Sequence, residues 1–242
     1  MTQIENELTE SSHVATNTLV IYMTQLEAAF RAAGVTVPFS HNEKGMRGQS
    51  WSVDYQNVGG AVNLYGLDSY PGGTSCTSVN SGYTLVRTYF QWFANYAFSQ
   101  PSFLPEFEGG WFSAWGGTFY DNCASDHDPA FSDLYYKNNI AQRVTLQSLY
   151  MAWGGTNWGH CKLYYEDEKI ELILSAAAPV VYTSYDYSAP LRETRQIQTK
   201  LYHIKLIGLF TRVSTDLLKT YMVGNGTGYA VSSPKRFLSA EY

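Results

Sequence analysis

The sequence predicts an α/β chain, a parallel sheet with helices outside it, and three observations carry the prediction. Apolar runs of strand length alternate with stretches of helical spacing along the 242 residues. Each run ends in a polar or glycine-rich loop, as buried parallel strands do. About five strands and four helices follow one another in this way, an order that argues for parallel crossovers.

The opening stretch TQIENE reads as a strand end. Leu19, Met23, Leu26 and Phe30 then recur at helical spacing, with Asn17 or Thr18 as cap and Gly34 as stop, which predicts a helix over 15–33. Val35–Phe39 and Ala61–Tyr65 read as short buried strands. A Tyr- and Phe-rich helix is expected near 84–98, a strand at Ser102–Glu106, a helix near 131–146 and a strand at Ser148–Trp153. The last long helix, 191–210, gathers Ile197, Leu201, Ile204 and Phe210 near one face. Residues 214–242 show no helical pattern and read as a linker or the start of a β-rich domain. No internal repeat is visible. An eight-stranded barrel needs about 250 residues in its leanest forms, so five units are too few to close one.

Composition narrows the partners. The net charge of -5 comes from 16 basic and 21 acidic residues, without a basic stripe, which argues against nucleic acid. No run of 18 apolar residues exists, so no membrane-spanning helix is expected, and the N-terminus has no signal-peptide pattern. Aromatics reach 16%, with 20 Tyr and 6 Trp. A large aromatic core accounts for many of them, and a sugar-binding surface of ring faces and Tyr hydroxyls is the sharper alternative. Three cysteines, Cys76, Cys123 and Cys161, leave at least one unpaired within the chain. Asn225-Gly226-Thr227 fits a glycosylation triplet, a pattern common by chance.

Carboxylates carry the chemistry. Alternation places Glu5 and Glu7 on one side of the first strand and Asn6 on the other unless the strand end twists. Glu7 is at the C-terminal edge, where parallel folds gather functional groups, and Glu5 lies deeper. A solvated glutamate opening a helix is the competing reading of Glu7. In PEFEGGWFSAWGG, Glu106 ends the strand SFLPE, and it lies 99 residues after Glu7, three strand-and-helix units on the same face. Two carboxylates across a polar, aromatic-lined pocket suit glycosidic cleavage, one protonating the leaving oxygen and the other attacking carbon or activating water. Asn6 is positioned to hold a sugar 2-hydroxyl. HExxH, CxxC, Walker A and G-x-S-x-G patterns are absent. Asp126-His127-Asp128 reads as a turn rather than a metal site, and His13, His41, His160 and His203 are scattered. No metal and no cofactor is expected.

The ordered series QIENE, GLDSYP, PEFEGGWFSAWGG, LYMAWGGTNWG and VYTSYDYSAPLRETR resembles the fungal β-galactosidases of glycoside hydrolase family 35 over nearly the whole chain. The resemblance implies a (β/α)8 barrel followed by β-rich domains, here as a partial TIM barrel of strands four to eight with their helices in residues 1–213. It implies a retaining mechanism on terminal β-D-galactosyl groups of oligo- or polysaccharides, a monomeric full-length form and secretion. Glu7 matches the acid/base glutamate at the end of strand four, and Glu106 the nucleophile at the end of strand seven. Asn6, Tyr150 and Tyr187 match galactose-contacting residues. Tyr70 and Tyr185 are carried over likewise, with core packing as their competing reading. Cys76 and Cys123 match a pair that the family joins as a disulfide.

Two departures from the family pattern stand out. From Lys162 to Leu174, KLYYEDEKIELIL carries six charges in thirteen residues, where the family has a short linker. We read 162–175 as a translated retained intron, with a donor at the Cys161-Lys162 codons, an acceptor at the Ser175-Ala176 codons and an in-frame removal. Strands one to three, with the family's other galactose-binding side chains, have no counterpart in the sequence. An open partial barrel exposes strand edges, so low stability and little or no activity are expected of this chain by itself. A non-catalytic carbohydrate-binding fragment, or a gene-model artefact, is the alternative.

Overall fold

The computed structural model describes residues 1–10, 12–48, 51–55, 57–72, 84–113, 117–123, 129–158 and 183–219. Five parallel strands pair in chain order: β1 (Thr2–Asn6), β2 (Phe39–Lys44), β3 (Leu64–Asp68), β4 (Phe103–Glu108) and β5 (Leu146–Tyr150). The sheet is open, with β1 and β5 at its edges. This is the α/β, partial-barrel arrangement expected. Helices α1 (Thr18–Ala32), α2 (Tyr89–Tyr96), the single turn α3 (Tyr120–Cys123) and α4 (Pro129–Ala141) precede β5. A two-residue antiparallel pair, β6 (Gly155–Thr156) and β7 (Ser184–Tyr185), precedes α5 (Thr199–Val213) and a 3-10 turn at Thr215–Leu218.

Helix α1 starts where the side chain of Asn17 accepts the Leu19 N–H at 2.8 Å, and it ends before Gly34 at φ 87°. Its buried Val20 and Met23 pack on Ile4, Phe39, Trp51 and Val62, with Leu19, Leu26 and Phe30 around them. The β2–β3 connection contains no helix among the described residues. Gly60, at φ 73°, lets this loop press on α1, for a Cβ there would lie 2.7 Å from that of Met23. The second core, between the sheet and α2 and α4, is mostly aromatic: Tyr65, Tyr89, Phe93, Phe107, Trp111, Tyr120, Phe131, Tyr135 and Tyr136.

The structure moves several expected boundaries. The second strand begins at Phe39, where it was expected to end, because Val35–Pro38 form a link, exposed beyond the half-buried Val35, in which Arg31 donates to the Val35 and Val37 carbonyls. The true strand, FSHNEK, is polar yet buried on both faces, so an apolar-run criterion passes over it. Strand β3 likewise runs later, to Asp68. Helix α4 stops at Ala141, Arg143 turns with φ 64°, and the Thr145 and Leu146 N–H groups bond the Ser102 carbonyl, so that residues expected to be helical join the sheet. On α5 the packing positions are Lys200, Ile204 and Ile207, spaced four and three. Of the expected face Ile204 packs against the core, while Ile197 and Phe210 are exposed.

The Cys76–Cys123 pairing cannot be followed, since Cys76 and the side chain of Cys123 lie outside the described residues. So do Asp126–Asp128, the 162–175 segment, Asn225–Thr227 and residues 220–242. Among the described residues, no helix is long and apolar enough to cross a membrane.

Candidate active site

Parallel strands in one sheet bring all their C-terminal ends to one side. Here those ends carry Asn6 and Glu7, Asn42, Asp68, Glu106 and Tyr150, and the segments that follow add Tyr70, Tyr185 at the end of β7, and Tyr187. Asn6, Glu7, Tyr70, Glu106, Tyr150, Tyr185 and Tyr187 thus stand at one edge.

Simple alternation fails at β1. The β1–β2 register slips between Gln3 and Glu5, a bulge at Ile4. Glu5 therefore faces α1, accepting from the Tyr22 hydroxyl at 3.3 Å and from the Asn6 N–H. It is neither deeper in the site nor on the side of Glu7. Asn6 instead joins the polar cluster, its Oδ1 accepting from Asn42 Nδ2 at 2.9 Å. Glu7 takes φ 57°, uncommon for a residue with a Cβ, while its N–H still bonds the Asn42 carbonyl at 2.9 Å. This turn brings its carboxylate within electrostatic reach of Asp68 and Glu106, with Lys44 Nζ at 3.4 Å on one oxygen.

Glu106 is re-aimed by a second bulge, between Leu104 and Phe107. Pro105 fits there because Gly66 on β3 has no side chain; a Cβ would lie 2.6 Å from the proline Cδ. Tyr70 donates its hydroxyl to Glu106 Oε2 at 2.7 Å and Asn42 Nδ2 donates to Oε1 at 3.2 Å. Burial raises the Glu106 carboxyl above the usual range, Tyr70 opposes this, and Glu7 adds to it. The strand continues to Glu108, which is fully buried and accepts the Gly72 N–H at 2.6 Å, and burial pushes its carboxyl up to about 8.

Tyrosines close one side. The hydroxyls of Tyr150 and Tyr185 are 3.0 Å apart, and the Tyr187 ring packs at 5.4 Å from each of theirs. Tyr187, at φ 59°, is held through its carbonyl by Trp111 N–H at 2.8 Å. Gly110 is required beneath it, since a Cβ would lie 1.8 Å from that carbonyl oxygen. Burial raises the phenols of Tyr70, Tyr185 and Tyr187, so all three stay protonated and able to donate.

Sequence reasoning missed four supports. Asn42, fully buried, was invisible because β2 was misplaced. Asp68 stands in GLDSYP two residues before Tyr70, and its place at a strand end was the available signal. Asp186 receives Arg192 Nε at 3.0 Å and the N–H groups of Ser188 and Glu193 at 3.1 Å each, fixing the Tyr185–Tyr187 turn. Lys200 is 2% exposed and donates to the Gly109 carbonyl at 2.7 Å; burial lowers its ammonium to about 7.

The sequence model of the family described as Glycosyl hydrolases family 35 matches residues 1–210. The chain belongs to glycosyl hydrolase family 35. Among curated relatives of this family, "Probable beta-galactosidase C" of Sclerotinia sclerotiorum is 70% identical over 233 residues, which are 96% of this chain and 22% of that protein. The proteins of the same name from Neosartorya fischeri and Aspergillus niger are 65% and 64% identical, again over 22% of their length. The chain therefore spans about a fifth of the family members it matches.

Proposed function

We propose that this chain carries the two-carboxylate half of a retaining glycoside hydrolase acting on terminal, non-reducing β-D-galactosyl groups. The observation that supports the reading best is the linkage of the strand ends bearing Glu7 and Glu106. Asn42 bonds to Asn6 on one side and to Glu106 on the other, beside a wall of tyrosines. The names of the 64–70% identical relatives point to the same substrate class.

In this reading Glu106 is the nucleophile. Its carboxylate, oriented by Tyr70 and Asn42, attacks the anomeric carbon as the bond to the leaving oxygen breaks. Glu7 gives that oxygen its proton and then takes one from the water that releases the sugar, so each group is restored after two displacements. Asn6 holds the 2-hydroxyl, whose hydrogen bond strengthens as positive charge grows on the ring. Tyr70, Tyr150, Tyr185 and Tyr187 supply hydroxyl donors and ring faces. β-Galactoside oligo- or polysaccharides outside the cell are the expected substrates, without a cofactor, and the complete protein is expected to be monomeric. In this reading residues 1–213 belong to the catalytic part, and the sequence of 214–242 is a linker or the start of a β-rich domain.

Weak hydrolysis of an aryl β-galactoside by the chain alone, lost in Glu106→Gln, is the result that supports catalysis. Galactose binding without turnover would instead favour a carbohydrate-binding fragment, the reading that an open sheet and a 22% share of the relatives' length keep alive.

A further inference from the structure

One side-chain amide stands at the centre of the site. Asn42 Oδ1 accepts from Gln3 Nε2 at 2.7 Å and from the Glu7 N–H at 3.4 Å, which fixes Nδ2 toward the other side. There Nδ2 meets three acceptors: Asp68 Oδ2 at 2.7 Å, Asn6 Oδ1 at 2.9 Å and Glu106 Oε1 at 3.2 Å. Two N–H bonds serve three oxygens, one of them on a second carboxyl group. Asp68 is 3% exposed, and its other oxygen, Oδ1, is buried without a donor. A carboxylate in that position, with Glu7 and Glu106 beside it, leaves a buried negative charge unbalanced.

We propose that Asn42 and Asp68 form a positioning pair for the two carboxylates: the Asn42 amide fixes Glu106 relative to the strand end bearing Glu7, and the Asp68 carboxyl holds a proton that bridges toward Glu7. The proposal rests on the glycosidase reading only for its catalytic consequence. Burial first, then Glu106, push the Asp68 carboxyl up to about 8; the Asn42 amide opposes them, and the nearby Glu7 adds to the rise. The groups facing it are Glu7 at the end of β1, Asn42 on β2, Tyr70 beyond β3 and Glu106 on β4, while Lys44 reaches only Glu7. With its proton in place, Asp68 adds no charge beside Glu106, and Oδ2 remains an acceptor for Asn42. Above its titration a further buried negative charge appears beside Glu106, and the separation of Glu7 and Glu106 is no longer held.

The test is a carboxyl titration by carbon-13 NMR on the full chain labelled at its aspartate and glutamate side chains, with aryl β-galactoside turnover measured in parallel. One aspartate is expected to titrate near pH 8 and to vanish from the spectrum in Asp68→Asn. In Asn42→Ala that titration is expected to move higher, because a donor to the charged form is gone, while kcat falls about a hundredfold with KM changed far less. An Asp68 that titrates in the ordinary carboxylate range, or an Asn42→Ala chain with unchanged titrations and kcat, overturns the proposal. If Asn42→Ala loses its cooperative melt, Asp68→Asn decides alone, since it keeps shape and polar atoms. A wild-type chain without turnover overturns the glycosidase reading for this chain, and the titrations still decide the pair.

Discussion

The hydroxyl of Tyr70 donates to Glu106 Oε2 at 2.7 Å, and both groups sit where β3 and β4 end. This bond opposes the burial that raises the Glu106 carboxyl. Tyr70→Phe is therefore expected to move the Glu106 titration upward. As the nucleophile proposed above, Glu106 must be ionised, so the acid limb of the kcat/KM profile is expected to shift to higher pH. A hydrogen bond to a charged group contributes about 1.5–3 kcal/mol, which corresponds to a loss of about ten- to a hundredfold in kcat/KM. A pH–rate profile of an aryl β-galactoside checks both.

Lys200 gives the protein a stability component that depends on pH. Its folded pKa, about 7, lies below the ordinary lysine value, so the folded state binds fewer protons than the unfolded one in between. Stability contributed by this group is full above the unfolded value and is lost as pH falls through about 7. Urea melts at pH 7 and pH 9 are expected to show the wild type gaining stability upward from Lys200, and Lys200→Met lacking that gain.

Glu108 acts in the opposite direction. Its folded pKa of about 8 lies above the ordinary glutamate value, so its contribution is full below the unfolded value and is lost as pH rises through about 8. Glu108→Gln keeps an acceptor for the Gly72 N–H. It is expected to flatten the fall in stability between pH 5 and pH 8, measured by the same urea melts.

Two glycine substitutions separate close packing from helix propensity. Gly110→Ala places a Cβ 1.8 Å from the Tyr187 carbonyl oxygen and is expected to destabilise by about 3 kcal/mol while displacing the tyrosine wall. Gly208→Ala, within α5 and with nothing within 4 Å of the added atom, is expected to stabilise by about 0.5–1 kcal/mol. Thermal and urea unfolding of the two variants measures both signs.

The sequence by itself determined the α/β order, the start of α1 at Asn17 or Thr18 and the strand-end positions of Glu7 and Glu106. These depend on local signals, a cap, a helical period or an apolar run closed by a polar loop, and the motif series placed the chain in its family on the same residues. Asn42, Asp68 and Lys200 were beyond such signals. A strand reading SHNEK carries no apolar pattern, and its burial comes from neighbours on both faces. The bulge at Ile4 and the positive φ of Glu7 reversed the alternation that put Glu5 with Glu7. Tertiary structure alone decided which polar groups meet at Asn42 and which lysine lies beneath the site. Those outcomes depend on desolvation and on hydrogen bonds spanning 26 residues from Asn42 to Asp68 and 91 from Gly109 to Lys200, and no local period encodes such distances.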